Sequence, residues 1–312
     1  MAAPLCLELR NVELDFTHVE CHIHPVHPLS AGLLILSALR TFPVHFKKAC
    51  CTSHSLLCDH CPAAECCPYQ LIFNQELSSN PHIVKRHQKP SLPFSFQVSH
   101  GGAAESSCAV SLLIIGTALN HLSLLYTVLR TLIHTALTTA GVNGFSVEGY
   151  SVDYQGNRHR LTLLENSTES VVLLSASHVL QDILHGDTLT ITLKTPLRLL
   201  QNGSTVRRFD FAPFFLSMLR RCSSLIAYYG SGELDVDFTS LSTAAQRVTW
   251  YDSTVQFTSS HRSQSVSSSG LLGTVDCTDL VDSLLSILRL GSYFNVGKGA
   301  TYGSGHFSFE VH

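Results

Sequence analysis

The stretch that most restricts the fold lies near the C-terminus, where Gly291, Gly297, Gly299, Gly303 and Gly305 surround a single lysine, Lys298. An apolar run with helical spacing, Leu280 to Leu290, precedes it, and a strand-like tail, Phe307 to Val311, follows. Closely spaced glycines permit positive φ and close backbone approach, and a lysine among them suits a phosphate. The order helix, loop, strand excludes two phosphate-binding patterns. A Walker loop needs Gly-Lys-Ser/Thr opening a helix, and a Rossmann fingerprint needs its strand first. The glycines alone leave a tight structural turn and an anion-binding loop equally open.

Periodicity along the rest of the chain gives a repeated grammar. Cys6 to Phe16 alternates as a strand, and Leu29 to Arg40 reads as a helix that Pro43 ends. Leu92 to Val98 and Cys108 to Ile115 read as strands, Thr117 to Ala140 as a helix stopped by Gly141, and Phe145 to Tyr154 as a strand. That β-α-β-β-α-β order is ferredoxin-like. It recurs as a strand at Thr188 to Leu199, a helix at Phe211 to Tyr229, strands at Arg247 to Phe257 and Ser267 to Val275, and a helix at Thr278 to Leu290 capped by Thr278 or Asp279. The expectation is an α+β chain of two tandem ferredoxin-like domains. The first spans 1–165 with a small Cys-rich insertion at about 50–67, a linker spans 166–187, and the second spans 188–312 with its glycine-rich loop at 291–305.

The chain has 312 residues, 45% hydrophobic and 14% charged, enough for two modest cores. It has no run of about eighteen uninterrupted apolar residues and no basic-then-apolar leader, so neither a membrane partner nor secretion is expected, and the cytoplasm is the expected location. A net charge of −3 is not the footprint of a nucleic-acid binder. Locally, however, Leu77 to Ala104 holds no acidic residue while Lys85, Arg86, His87 and Lys89 sit together. Six of the eleven cysteines crowd into Cys50 to Cys67, which argues for a reducing compartment and a metal site rather than disulfides. Cys51, Cys58, Cys61 and Cys67 are the favoured ligands of a structural zinc, with Cys50, Cys66, His54 and His60 as substitutes. An iron–sulfur cluster would accept the same ligands.

Four stretches resemble the CRISPR-associated endoribonucleases of the RAMP superfamily, which cut precursor CRISPR RNA within its repeats. Gly297-Lys298-Gly299-Ala-Thr-Tyr-Gly303-Ser-Gly305 is similar to the family's glycine-rich loop, and Gly270-Leu-Leu-Gly273 to the turn before its last helix. Thr195-Pro196-Leu197-Arg198-Leu199 resembles the strand opening the C-terminal domain, and Cys58-Asp-His-Cys61 through Cys67 a cysteine-rich insertion of one branch. Asn295 stands where close relatives of the loop often have histidine.

The resemblance implies an RRM-like tandem fold and a metal-independent endoribonuclease. In such enzymes a base takes a 2′-hydroxyl proton, and the products carry a 2′,3′-cyclic phosphate and a 5′-hydroxyl. No cofactor is implied for catalysis, and the partners are CRISPR repeat RNA or the mature guide RNA, with other effector-complex subunits as further partners. His45, just after the first helix, is the expected base because imidazole titrates near neutrality. Lys48, or Lys47, is its electrostatic partner. His22, His24 and His27 are its rivals. Gly297, Lys298, Gly299, Gly303 and Gly305, with Arg262, Arg207, Arg208, Lys85 and Arg86, are the expected RNA contacts, of the kind that position a backbone without reading sequence. Trp250 is expected to be packed. The alternative is a non-catalytic RAMP subunit that holds guide RNA.

Overall fold

A computed structural model of the protein describes residues 12–51, 66–87, 89–100, 106–161, 171–181, 185–186, 188–201, 203–251, 253–258 and 269–312. Contacts divide the chain into a unit of Phe16–Leu174 and a unit of Ser175–His312 that includes the chain's start up to Asp15.

The N-terminal unit runs β1 (Asp15–His24), α1 (Pro28–Leu39), α2 (Phe42–Cys50), α3 (Pro68–Phe73), α4 (Pro81–Arg86), β2 (Phe94–His100), β3 (Cys108–Ile115), α5 (Leu122–Thr139), β4 (Ser146–Val152) and β5 (Arg158–Arg160). Its strands lie in the order β2-β3-β1-β4-β5, with β1 antiparallel to both β3 and β4. This is the ferredoxin-like order extended by one edge strand. Strand period two sorts β1 cleanly. Thr17, Val19, Cys21 and Ile23 are fully buried, while His18, Glu20, His22 and His24 share the opposite face. On the helix side, α5 buries Leu122, Leu125, Val128, Leu129, Leu132, Ile133 and Leu137 at helical spacing.

Two expectations are corrected here. The first strand begins at Asp15 rather than Cys6, and residues 6–11 of that expectation lie outside the described residues. Pro43 does not end the chain's helical course. It sits in the first turn of α2, where its missing N–H has no intrahelical acceptor to lose. The helix so started is pinned by rings: Phe42 and Phe46 pack with Phe73, Phe94 and Phe96 at centroid separations of 5.0 to 6.4 Å.

Between the units' main elements, β6 (Leu174–Ser175) and α6 (Ala176–Gln181) occupy part of what the sequence suggested was plain linker. The C-terminal unit then runs β7 (Thr188–Leu197), the hairpin β8 (Leu200–Gln201) and β9 (Ser204–Thr205), α7 (Phe211–Tyr229), α8 (Phe238–Arg247), β10 (Thr249–Tyr251), β11 (Gln256–Thr258), β12 (Gly270–Thr278), α9 (Asp282–Phe294) and β13 (Phe307–Val311). The sheet order β10-β12-β7-β13, with β11 also on β12, repeats the ferredoxin-like arrangement. α8 went unseen in the sequence because its buried stripe is reduced to Leu241 and Ala245. Asp237 caps it through Thr239 and Ser240 N–H groups. α9 starts four residues late, at Asp282, and neither Thr278 nor Asp279 caps it. Gly291 belongs to α9 rather than to the loop. Added Cβ bulk there would fall on the Met218 side chain, so this glycine lets α7 and α9 close together.

Truncating Phe46 to alanine removes a fully buried ring from the cluster that seats α2. Denaturant unfolding should report a loss of about 3–5 kcal/mol.

Candidate RNA-binding and active-site residues

The glycine-rich loop is a packed structure rather than an open cradle. Gly297, Gly299, Gly303 and Gly305 take φ of 84°, 85°, 88° and 67°. Most of the loop's amides are already committed. Val296 N donates to Gly305 O, Lys298 N to Arg198 O, Ser304 N to Gly299 O and Gly305 N to Pro196 O, all within 2.8–3.2 Å. Thr195, 4% exposed, donates through Oγ1 to Gly303 O at 2.7 Å and accepts from His306 N at 2.9 Å. A Cβ at 305 would fall on Val296 O, and one at 297 on Arg198 O, so both glycines are needed for close packing as well as for φ.

The loop is also anchored at its root. Arg221 of α7 donates from Nε to Phe294 O, the last residue of α9, at 2.7 Å. Burial lowers this guanidinium to about 10, which leaves it charged at neutral pH. Asn295 follows with φ 58° and ψ 175°, a region otherwise kept for glycine. It is fully buried, and its Nδ2 donates to Ala300 O at 2.9 Å. What reaches solvent at the tip is the Lys298 side chain and Gly299. Arg198 and His306 are backbone partners of this seam, and Lys194, exposed on β7, donates its N–H to His306 O. These three cationic or titratable neighbours were missed in the sequence, because β7 reaches the loop only through the sheet.

His45 lies half-buried in the middle of α2, above the ring cluster, and Lys48 is exposed one turn further on. The i, i+3 spacing puts the two on one face. Lys47 points elsewhere: its ammonium lies 5.5 Å from the Tyr69 ring centroid. Lys85 and Arg86 are exposed in the last turn of the short α4, and Arg207 and Arg208 are exposed ahead of α7, with Arg207 5.3 Å over the Phe257 ring. Arg262 lies outside the described residues. Trp250 is not packed away, since 43% of it is exposed on the short strand β10.

Cys58 and Cys61 also lie outside the described residues. Cys50 and Cys51 end α2, and Cys67 precedes α3. Burial first, then Cys67 and Cys51 nearby, push the Cys50 thiol up to about 11, against a backbone N–H from Tyr69. No group of three or more His, Cys, Asp or Glu side chains among the described residues is arranged to hold a metal.

The open face of β1 carries a network the sequence reading passed over. Glu20 accepts from His22 Nε2 and Arg158 Nε, each at 2.8 Å, and from Ser111 Oγ at 3.4 Å. His18 Nε2 lies 3.6 Å from its other side. Burial alone would raise the Glu20 carboxyl. The bonds from His22 and Arg158 and the charges around them prevail and bring it to about 2. Burial lowers the His18 imidazole, with Glu20 opposing. The signal was present as His18-x-Glu20-x-His22-x-His24, an alternation that reads as one face of a strand.

Residues 191–307 match the family model described as CRISPR-associated endoribonuclease Cas6, and residues 14–172 match a second model described as an N-terminal domain. Among solved structures, a Thermus thermophilus Cas6 superposes with a TM-score of 0.53 at 10% identity, covering 95% of this chain and 99% of that one. A Cas6 carrying a histidine-to-alanine substitution gives 0.50 at 12% identity, covering 96% and 100%. At such identities the likeness concerns the fold. No curated protein matches the chain in sequence.

Two measurements test this geometry. Thr195→Val keeps the shape but strands the Gly303 carbonyl and His306 N–H, so chemical unfolding should show a loss of about 1–3 kcal/mol. Glu20 sits below its usual 4.5, so its stabilisation is full above that pH and fades as pH falls toward 2. Glu20→Gln should therefore cost about 3 kcal/mol at neutral pH, with the gap from the parent protein closing between pH 4.5 and 2.

Proposed function

The chain belongs to the family of CRISPR-associated Cas6 endoribonucleases, and from that premise we propose that it binds the hairpin of CRISPR repeat RNA and cuts precursor CRISPR RNA without a metal. The observation that carries this reading is the match of residues 191–307 to the endoribonuclease model, which runs from β7 through the glycine-rich loop into β13.

In the proposed reaction His45 takes the proton of a 2′-hydroxyl. The freed oxygen attacks the adjacent phosphorus, and the bond to the 5′-oxygen breaks as that oxygen takes a proton from solvent water. Lys48, on the same face of α2, offsets the charge that builds on the phosphorane. The products are a 2′,3′-cyclic phosphate and a 5′-hydroxyl, and the enzyme stays on the 3′ end of the guide. Lys298 at the loop tip holds a backbone phosphate as a point charge, since most loop amides are internally bonded. Gly297, Gly299, Gly303 and Gly305 serve by shaping that tip. Arg207, Arg208, Arg262, Lys85 and Arg86 add backbone contacts, and effector subunits are further partners. No single helix among the described residues is long and apolar enough to cross a membrane.

A second reading, a guide-RNA-holding subunit without catalysis, draws on one observation. The His45 ring has no side-chain hydrogen bond among the described residues, whereas the rival His22 is held by Glu20 at 2.8 Å. Cleavage of a repeat hairpin in EDTA separates the readings. His45→Ala should lower the cleavage rate by about 10²–10⁴-fold with RNA affinity retained, and His22→Ala should leave it near that of the parent. Full activity in His45→Ala removes the assignment, and no cleavage by the parent protein favours the second reading.

A structural zinc is part of the proposal. It rests on the Cys58-x2-Cys61 and Cys67 spacing in the sequence and on Cys67 and Cys51 lying near enough to raise the Cys50 thiol, since the described residues alone form no metal site. Cys51 and Cys67 would be joined by Cys58 and Cys61, with Cys50 as a substitute, tying the insertion to α2. Elemental analysis should find one zinc per chain, and Cys67→Ser should release it and lower the unfolding midpoint. A metal-free preparation of unchanged stability would remove the site.

A further inference from the structure

On the helix-covered side of the N-terminal unit, α5 and the start of β4 enclose a groove of about 480 Å³. Its lining includes Tyr126, Arg130, Thr131, His134, Phe145 and Val147. None of the RNA contacts or catalytic groups named above lies in it. Three properties restrict what it can hold.

The first is charge. Arg130 and His134 line the groove and no carboxylate among the described residues does, which favours an anionic or electron-rich occupant. The second is flatness. The Arg130 guanidinium lies 5.8 Å from the Tyr126 ring centroid, and the His134 and Phe145 rings lie 5.3 Å apart. A guanidinium laid over one ring offers its other plane to a second, and unpaired bases use such planes together with aromatic and histidine rings. The third is rigidity. Tyr126 is only 3% exposed, and its hydroxyl fills the space that a Cβ at Gly149 would take. Arg130 Nη2 is also directed at Val147 O, 3.5 Å away. The floor is therefore set before anything binds, which lowers the cost of ordering a ligand. The volume lies in the range of small-ligand sites and is ample for one nucleotide.

We propose that this groove receives one unpaired nucleotide of the RNA, its base stacked between the Arg130 and Phe145–His134 planes and its polar edge turned to the Thr131 hydroxyl. The site rests on the reading of the chain as a repeat-RNA protein and deepens it. It gives the N-terminal unit a grip on single-stranded sequence flanking the hairpin, separate from backbone contacts at the glycine-rich loop. Stacking of this kind tolerates different bases, so the site adds affinity for an unpaired flank more than it adds sequence choice.

The test uses the full chain and two RNA probes, a stem–loop alone and the same stem–loop with an unpaired polyadenosine flank. The parent protein should bind the flanked probe more tightly than the bare one. Arg130→Ala and His134→Ala should weaken binding of the flanked probe roughly tenfold, leave the bare probe unchanged and leave the thermal midpoint unchanged, both side chains being exposed. Arg130→Lys, which keeps charge but loses the plane, should behave like Arg130→Ala. Equal weakening on both probes, or rescue by Arg130→Lys, reduces Arg130 to a general charge contact and overturns the site. Saturation of the groove by adenosine monophosphate with no flank effect makes it a free-nucleotide site and also overturns the proposal. Unchanged flank binding in the variants sinks the groove alone, whereas failure of the parent protein to bind either probe sinks the repeat-RNA reading beneath it.

Discussion

The C-terminal unit depends on the seam where the end of β7 meets the glycine-rich loop. Thr195 bridges both sides of that seam, donating to Gly303 and accepting from His306. The backbone carbonyls of Pro196 and Arg198 accept from Gly305 N and Lys298 N, while the Val296, Ala300, Tyr302, Gly303 and Ser304 N–H groups bond within the loop. Because a buried amide without a partner is costly, these bonds determine the loop's path more firmly than any side-chain packing. Positive-φ glycines follow as a consequence, being the residues whose backbones can approach carbonyls that closely. Arg221 and Asn295 then fix where α9 stops and the loop begins. The result is a rigid platform presenting one lysine, better suited to fixing a phosphate's position than to wrapping around it.

The N-terminal unit solves a different problem with the same fold. Its first strand must bury one face under helices while the other carries His18, Glu20, His22 and His24. A carboxylate at this depth is tolerated because His22 and Arg158 bond it directly, and the pair of bonds outweighs the loss of water. The helix α2 is placed by phenylalanines from three elements, and His45 rides on it at half exposure. Rigid support from a ring cluster suits a residue whose proposed role demands placement within a fraction of an ångström.

Long elements with complete periodicity were legible in advance. β3, α7 and β13 fall where the sequence pattern put them: β3 is buried along its whole length, α7 buries a full face, and β13 is set by Phe307 at its start. Short or thinly buried elements were not. α8 commits only two side chains to the core, and α3 and α4 are six-residue helices that each begin with proline, α4 with a further cap from Asn80. Proline itself misled at position 43, where the same ring that stops one helix begins another.

By itself, the sequence determined the ferredoxin-like grammar in duplicate, because strand and helix periods are local properties of the chain. It also determined that the glycine-rich segment must join a helix to a strand. Only the tertiary structure decided what that segment does with its amides, because the acceptors of Lys298 N and Gly305 N belong to residues about a hundred positions earlier and hold the loop in the path along which its other amides bond one another. The same holds for the Glu20 network and for the groove between α5 and β4. Arg158 and Ser111 reach Glu20 from distant strands, and the groove forms only when α5 lies beside β4, through sheet register and helix packing that local spacing does not encode.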